Sequence, residues 1–352
     1  MKQLFLSILF SLLFFSAPAF FSCSSYKGDT MVPEEPLYKA PSQIKKTIEV
    51  FSNFDRDMII PVIQFINSST GLSCSLTAKS EGIKVLKGKY DLFIGTCFQD
   101  DPVNIVNYSS GTWSKIGSSF YKDGVFIWSK WHSCLAVNSI FTEELNIEVP
   151  NTLPVEAAHE LPLLIGKITT VNPVNDPLLL SVFSTLYRTY GKDILIDINN
   201  MVPLYRSSRE ELIFAVESGQ YPAVLGIDGY FQNSISKGYP ISIVYSSFSK
   251  EKYPVTTVSG NNIVFIPADA NNREGAKYII DFMASSIFQS FLLNTYFMPI
   301  LKTSPQTGNQ DLSTDEPEKV LPLECDKSGL EELKQVWEEL AFPKGTKKIL
   351  DQ

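Results

Sequence analysis

The chain has 352 residues, 44% of them hydrophobic, enough to bury one large core or two of medium size. Its formal net charge is −8 and its pI is near 5.0. No basic stripe or nucleic-acid-binding motif is present, which excludes a nucleic-acid partner, because neutralising phosphates takes clustered Lys and Arg.

The N-terminus reads as an export signal. Lys2 is followed by the nearly unbroken apolar run Leu4 to Phe15, which has the length of a signal-peptide core and falls short of a ~20-residue membrane span. Two cleavage sites compete. Ala17-Pro18-Ala19 fits a small-x-small site, whereas Phe20-Phe21-Ser22-Cys23 resembles a lipobox with Phe20 where bacterial examples carry Leu. The expectation is a signal peptide over 1–22, acylation (palmitate) on Cys23, and a tether over 23–43 rich in Ser, Pro and acidic residues. The protein is then periplasmic or cell-surface, joined to the membrane through its N-terminal lipid anchor. Export permits disulfides; Cys74, Cys97, Cys134 and Cys325 allow three pairings or stay as buried thiols. No Cys/His cluster points to zinc.

In chain order, Lys46–Phe51 is a predicted strand. The apolar spacing of Met58, Ile59, Val62, Ile63 and Ile66 predicts a helix stopped at Thr70-Gly71. Strands follow at Ser73–Ala78 and Tyr90–Gly95, with a short helical piece at Glu81–Lys87 between them. This β-α-β-α-β opening predicts a parallel sheet with right-handed crossovers. Gly124–Trp128 and Cys134–Val137 read as two further strands and Leu163–Thr170 as another. A helix over Asp176–Tyr190 carries Pro177 in its first turn. Ser207 to Glu211 forms a capping-box pattern before a helix ended by Gly219. Pro222–Ile227, Ile241–Tyr245 and Asn262–Pro267 read as strands. Asn272–Ser285, Phe288–Leu293 and Glu331–Leu340 read as helices. Thr303–Lys319 is a polar surface loop.

In open α/β sheets, ligands bind beyond the carboxyl ends of the strands. That rule picks out Ser52, Asn53, Asp55, Thr96, Asn172, Asn175, Asp176, Asp228 and Tyr230 as ligand-binding candidates. Helix N-termini at these points suit an anionic group. Each small polar residue among them has capping as its alternative role. Trp113, Tyr121, Trp128, Trp131, Tyr205 and Tyr230 offer an aromatic wall, or else core packing. His132 reads as a strand or hinge residue and His159 as structural. No nucleophile elbow and no Ser/His/Asp grouping is present, so no enzyme is expected.

Five collinear stretches carry a resemblance: Thr47–Asn53; Pro61–Cys74; Val137–Ser139 with Val149-Pro150 and Glu156–Pro173; Glu217–Pro240; and Ile263–Pro299. Together they resemble the bacterial extracellular solute-binding proteins of ATP-driven (ABC-type) importers, of the iron(III)-binding type. The resemblance implies an α/β, two-lobed periplasmic-binding-protein fold (type 2), its cleft lying between lobes joined by crossover strands. The first lobe would take 44–136 and 258–352, and the second 137–257. It implies capture of a small-molecule ligand by lobe closure, delivery to an ABC transporter permease, a monomer, and no cofactor. Iron-binding relatives use two adjacent tyrosines with a His and a Glu from the first lobe. Here Tyr230 matches the first tyrosine, Phe231 replaces the second, and Asp55 and Thr96 stand near the other two. No metal is expected, and a small organic or anionic solute is favoured over Fe(III). If iron were the cargo, Tyr230, Asp55 and Asp228 would hold it. The alternative is a surface lipoprotein that keeps the fold, has lost solute binding and contacts other macromolecules.

Overall fold

The computed structural model describes residues 38–78, 90–96, 104–144, 168–245, 252–301, 317, 319–323 and 327–341. The signal peptide, Cys23, the helix expected at 81–87, Cys97, His159 and Cys325 lie outside the described residues. The last part of the expected tether is bound to the body: Tyr38 and Ala40 donate their N–H groups to the carbonyls of Ser69 and Thr70.

The opening follows its hydrophobic pattern. Strand β1 (Thr47–Ser52) leads to helix α1 (Arg56–Thr70), whose buried face is the expected Met58, Ile59, Val62, Ile63 and Ile66. Gly71 ends α1 with a φ of 69°, the left-handed conformation that a glycine enters at least cost. Strands β2 (Ser73–Ala78) and β3 (Leu92–Thr96) pair parallel to β1 on either side of it.

The next elements are helix α2 (Gly111–Ile116), strand β4 (Tyr121–Lys122) and strand β5 (Val125–Asn138). The two strands expected at 124–128 and 134–137 are this one strand of 14 residues. No Gly or Pro interrupts 129–133, so the strand continues while its partner changes from β10, paired as far as His132, to β8, paired from Ser133. Helix α3 (Ser139–Glu144) follows. Beyond the undescribed gap come strand β6 (Ile168–Val171), helices α4 (Pro177–Tyr190) and α5 (Lys192–Met201), strand β7 (Tyr205–Arg206), helix α6 (Arg209–Glu217), strand β8 (Ala223–Ile227), helix α7 (Asp228–Ser236) and strand β9 (Ile241–Val244). Helices α2, α3, α5 and α7 were not among the expected elements. Strand β10 (Val258–Phe265), helices α8 (Arg273–Met283) and α9 (Ser286–Leu292), strands β11 (Met298–Pro299) and β12 (Leu321–Pro322), and helix α10 (Lys327–Ala341) complete the described elements.

The sheet runs β2-β1-β3-β10-β5-β8-β6-β7. β5 joins its two halves. Val125 to His132 pairs antiparallel with β10, and Ser133 to Val137 pairs antiparallel with β8. The fold is therefore mixed α/β rather than wholly parallel, and the crossing point is His132-Ser133. β10 pairs with β3 and β5, β11 pairs with β5, and α8 packs on α1 and β1. Helix α10 packs on α4 and α5, where Trp337 is fully buried edge-on against Phe183 and Tyr205. Large aromatic area outweighs chain proximity in choosing that partner.

Trp113, Trp128 and Trp131 are fully buried in the core, so they form no aromatic wall around a cleft. Cys74 and Cys134 are free thiols. Burial pushes the Cys74 thiol up to about 12 and raises that of Cys134, with Asp228 adding to the latter.

Candidate functional site

The carboxyl ends of β1 and β3 supply one wall. Asn53 follows β1 and closes a two-way bridge to the end of β3: its Nδ2 donates to the Thr96 carbonyl (2.9 Å) and its Oδ1 accepts from the Thr96 N–H (3.0 Å). Gly95 makes this possible, because a Cβ there would lie 2.1 Å from Asn53 Oδ1. The Thr96 hydroxyl donates to the Asn261 carbonyl of β10 (3.2 Å). Asp55 then stands at the N-cap of α1, yet its side chain caps nothing. It turns across the cleft instead.

The second lobe supplies the opposite wall. Asp176 caps α4, one carboxylate oxygen accepting from Leu178 and Leu179 N–H at 3.0 and 3.1 Å. The Tyr230 hydroxyl, from the first turn of α7, donates to the same carboxylate (2.8 and 2.9 Å to its two oxygens). Arg209 opens α6 and reaches between the walls. Its Nη2 lies 3.1 Å from Asp55 Oδ2 and 3.5 Å from Asp176 Oδ2. The guanidinium also sits over the rings of Tyr230 (4.7 Å) and Tyr296 (5.6 Å). Arg209 is only 7% exposed, and its Nε–H has no hydrogen-bond partner.

A crevice lies between Asn53, Asp55 and Thr96 on one side and Pro177, Leu178 and Arg209 on the other. Its volume is about 10 Å³, room for about one water molecule. The N-termini of α1 and α4 face it and add partial positive charge. A cleft so built can hold an anionic oxygen group. It offers a desolvated guanidinium with one unspent N–H and two helix ends.

Of the expected residues, the structure brings Asn53, Asp55, Thr96, Asp176 and Tyr230 together. It places four elsewhere. The Ser52 hydroxyl accepts from Phe54 N–H inside the turn (3.2 Å). Asn172 caps the short turn Pro173–Asn175 and accepts from Trp337 Nε1 (3.2 Å). Asn175 is exposed and donates to the Ser207 carbonyl (3.3 Å). Asp228 is fully buried at the crossing of β5. It accepts from His132 N–H (3.0 Å), Gly229 N–H (2.7 Å) and the Tyr245 hydroxyl (3.1 Å), and lies 2.9 Å from His132 Nδ1. His132 itself lies in β5, at the last position paired with β10.

The sequence reading missed Arg209 and Tyr296 as cleft residues. A signal for Arg209 was available. It is a cation at the first position of a helix, where the dipole disfavours positive charge, so a tertiary partner was to be expected. Nothing local marks Tyr296.

Burial raises the pKa of Tyr230, with Asp176 adding to it, and raises those of Tyr108 and Tyr205 as well. An acid raised in the fold stays neutral where the unfolded chain already ionises, near pH 10. These tyrosines therefore contribute their full stability below about pH 10, and lose it as the pH climbs through their raised values. Denaturant midpoints measured across that range should fall, and phenolate absorbance from these residues should rise only as the protein unfolds. Their titration near pH 10 in a protein with native circular dichroism would contradict this.

The two lobes, the bridging strand and a cleft at the strand ends define the two-lobed periplasmic-binding-protein fold of type 2. Solved structures of that fold superpose over most of the chain. AfuA from Actinobacillus pleuropneumoniae, a periplasmic binding protein with exogenous fructose-6-phosphate bound, has a TM-score of 0.58 at 16% identity, covering 84% of this chain and 98% of its own. Iron-bound HitA from Pseudomonas aeruginosa has a TM-score of 0.57 at 14% identity, covering 84% and 99%. The periplasmic binding protein P5PA has a TM-score of 0.56 at 18% identity, covering 84% and 98%. No protein-family model matches the chain, and no curated protein matches it in sequence.

Proposed function

We propose that this chain is the solute-binding component of an ABC-type importer, and that its solute is small and carries an anionic oxygen group. The observation behind this reading is Arg209: a buried guanidinium in the interlobe crevice, with a buried Nε–H unspent beside two helix N-termini. Lobe closure traps the solute, and the closed form is delivered to a membrane permease. Periplasmic binding proteins of the same fold support the transport role. Cys23 tethers the exported protein to the membrane, a reading supported by the Phe20 to Cys23 motif.

Fe(III) fits these residues less well. It wants hard anionic oxygens, whereas Tyr230 is held protonated by burial and by Asp176. Phe231 is buried with its ring against Gly226, and Asp228 is committed to His132 and Tyr245.

The test is a thermal-shift screen of residues 24–352 against inorganic phosphate, sugar phosphates, carboxylates, amino acids, thiamine, polyamines and Fe(III) salts. An anionic class should stabilise the protein by about 2.7 kcal/mol at 100-fold excess over Kd. A shift confined to Fe(III) or to cations would overturn the ligand class. A flat panel would favour the surface lipoprotein that keeps the fold without its solute.

A further inference from the structure

Resting on that reading, we infer that Asp55 is a resident stand-in for the solute's anionic group, and that it sets how strong an anion must be to enter the cleft. Three observations carry this. First, an Asp at a helix N-cap ordinarily accepts from the N–H groups of its own first turn, yet Asp55 gives up that bond. Its carboxylate crosses to Arg209 on the other lobe, 154 residues away in sequence. Second, Asp55 is the replaceable one of the two carboxylates on Arg209. Asp176 is 2% exposed and bound by Leu178, Leu179 and Tyr230, whereas Asp55 is 42% exposed and Arg209 is its partner across the cleft. Third, Asp55 lines the crevice, which as it stands has room for about one water molecule.

A solute anion therefore enters by exchange. It takes the Nη2 donor from Asp55, and the unspent Nε–H lies alongside for a second oxygen. The uncapped first turn of α1 is open to a third. The displaced carboxylate swings to water, where half its surface already lies. An intramolecular carboxylate competes at a high effective concentration, so a solute offering only one carboxylate gains little over Asp55. A group with more oxygens and more charge, such as a phosphate, gains more. Asp55 thus sets the affinity threshold that any anion must clear to enter, and it holds the two walls of the cleft together when no solute is present.

The test compares the intact mature protein with Asp55→Asn, Asp57→Asn and Arg209→Gln, using inorganic phosphate and acetate as probes in calorimetric titrations. Asparagine is as good an N-cap as aspartate, so the first variant should fold. In Asp55→Asn, phosphate should bind roughly fivefold to tenfold more tightly and acetate should gain by a similar factor, because either anion must displace the same carboxylate. The radius of gyration of the solute-free protein should rise in small-angle scattering. Asp57 is exposed on the same turn; its variant measures the effect of charge alone and should change far less. Equal gains in both variants, or Arg209-dependent phosphate binding that Asp55→Asn leaves unchanged, would overturn the role of Asp55 while leaving the anion reading intact. If phosphate, acetate and the anions of the screen fail to bind any form, the anion reading falls and Asp55 with it.

Discussion

Replacing Arg209 with glutamine is expected to abolish anionic-solute binding while leaving a folded protein. The guanidinium is the fixed cation of the cleft. Its contacts to Asp55 and Asp176 and its place between the Tyr230 and Tyr296 rings hold it there without a solute. A charge-assisted fork in a desolvated cleft is worth several kcal/mol to a bound anion, so the affinity should fall by about a hundredfold or more. The stability cost should be smaller, about 2 kcal/mol, less than for most broken buried pairs. The reason is that Asp176 keeps two backbone donors and a tyrosine hydroxyl, and the half-exposed Asp55 rehydrates. Arg209→Lys keeps the charge and loses the planar fork, and should land between the two. Unchanged affinity in Arg209→Gln would remove the guanidinium from the binding site.

Removing the Asp228 carboxylate should produce the largest loss of stability of any cleft candidate. The side chain is fully buried and gathers two backbone N–H groups, a tyrosine hydroxyl and an imidazole nitrogen. It does so where β5 passes from β10 to β8. In Asp228→Ala these donors lose their shared acceptor, at a cost of about 3–5 kcal/mol. The melting temperature should fall by roughly 6 °C or more. Tyr245→Phe, which removes one donor rather than the shared acceptor, should cost about 1 kcal/mol. If Asp228 instead contacts solute, its alanine variant should melt near the wild-type temperature and lose affinity.

Local pattern alone determined much of the frame. The periodicity of Met58 to Ile66, the stop at Gly71, the β-α-β opening and the Pro177 and Ser208 helix starts are all short-range signals. Propensity and capping act over a few residues, so they are readable along the chain. The strand-end rule likewise reached Asn53, Asp55, Thr96, Asp176 and Tyr230, because the cleft of an open sheet is a consequence of strand direction.

Tertiary structure decided what those side chains do. Asp55, Asp176 and Asp228 are each an acidic residue beside a helix start, and no local signal separates them. One caps its helix, one binds His132 of β5 and one crosses the cleft to Arg209. The same holds for the continuity of β5, which depends on partners more than 85 residues away, and for the choice of α4 and α5 as the seat of α10. Each of these outcomes is set by which donors, acceptors or apolar faces long-range packing brings within a few ångströms, and that distance is not written in sequence spacing.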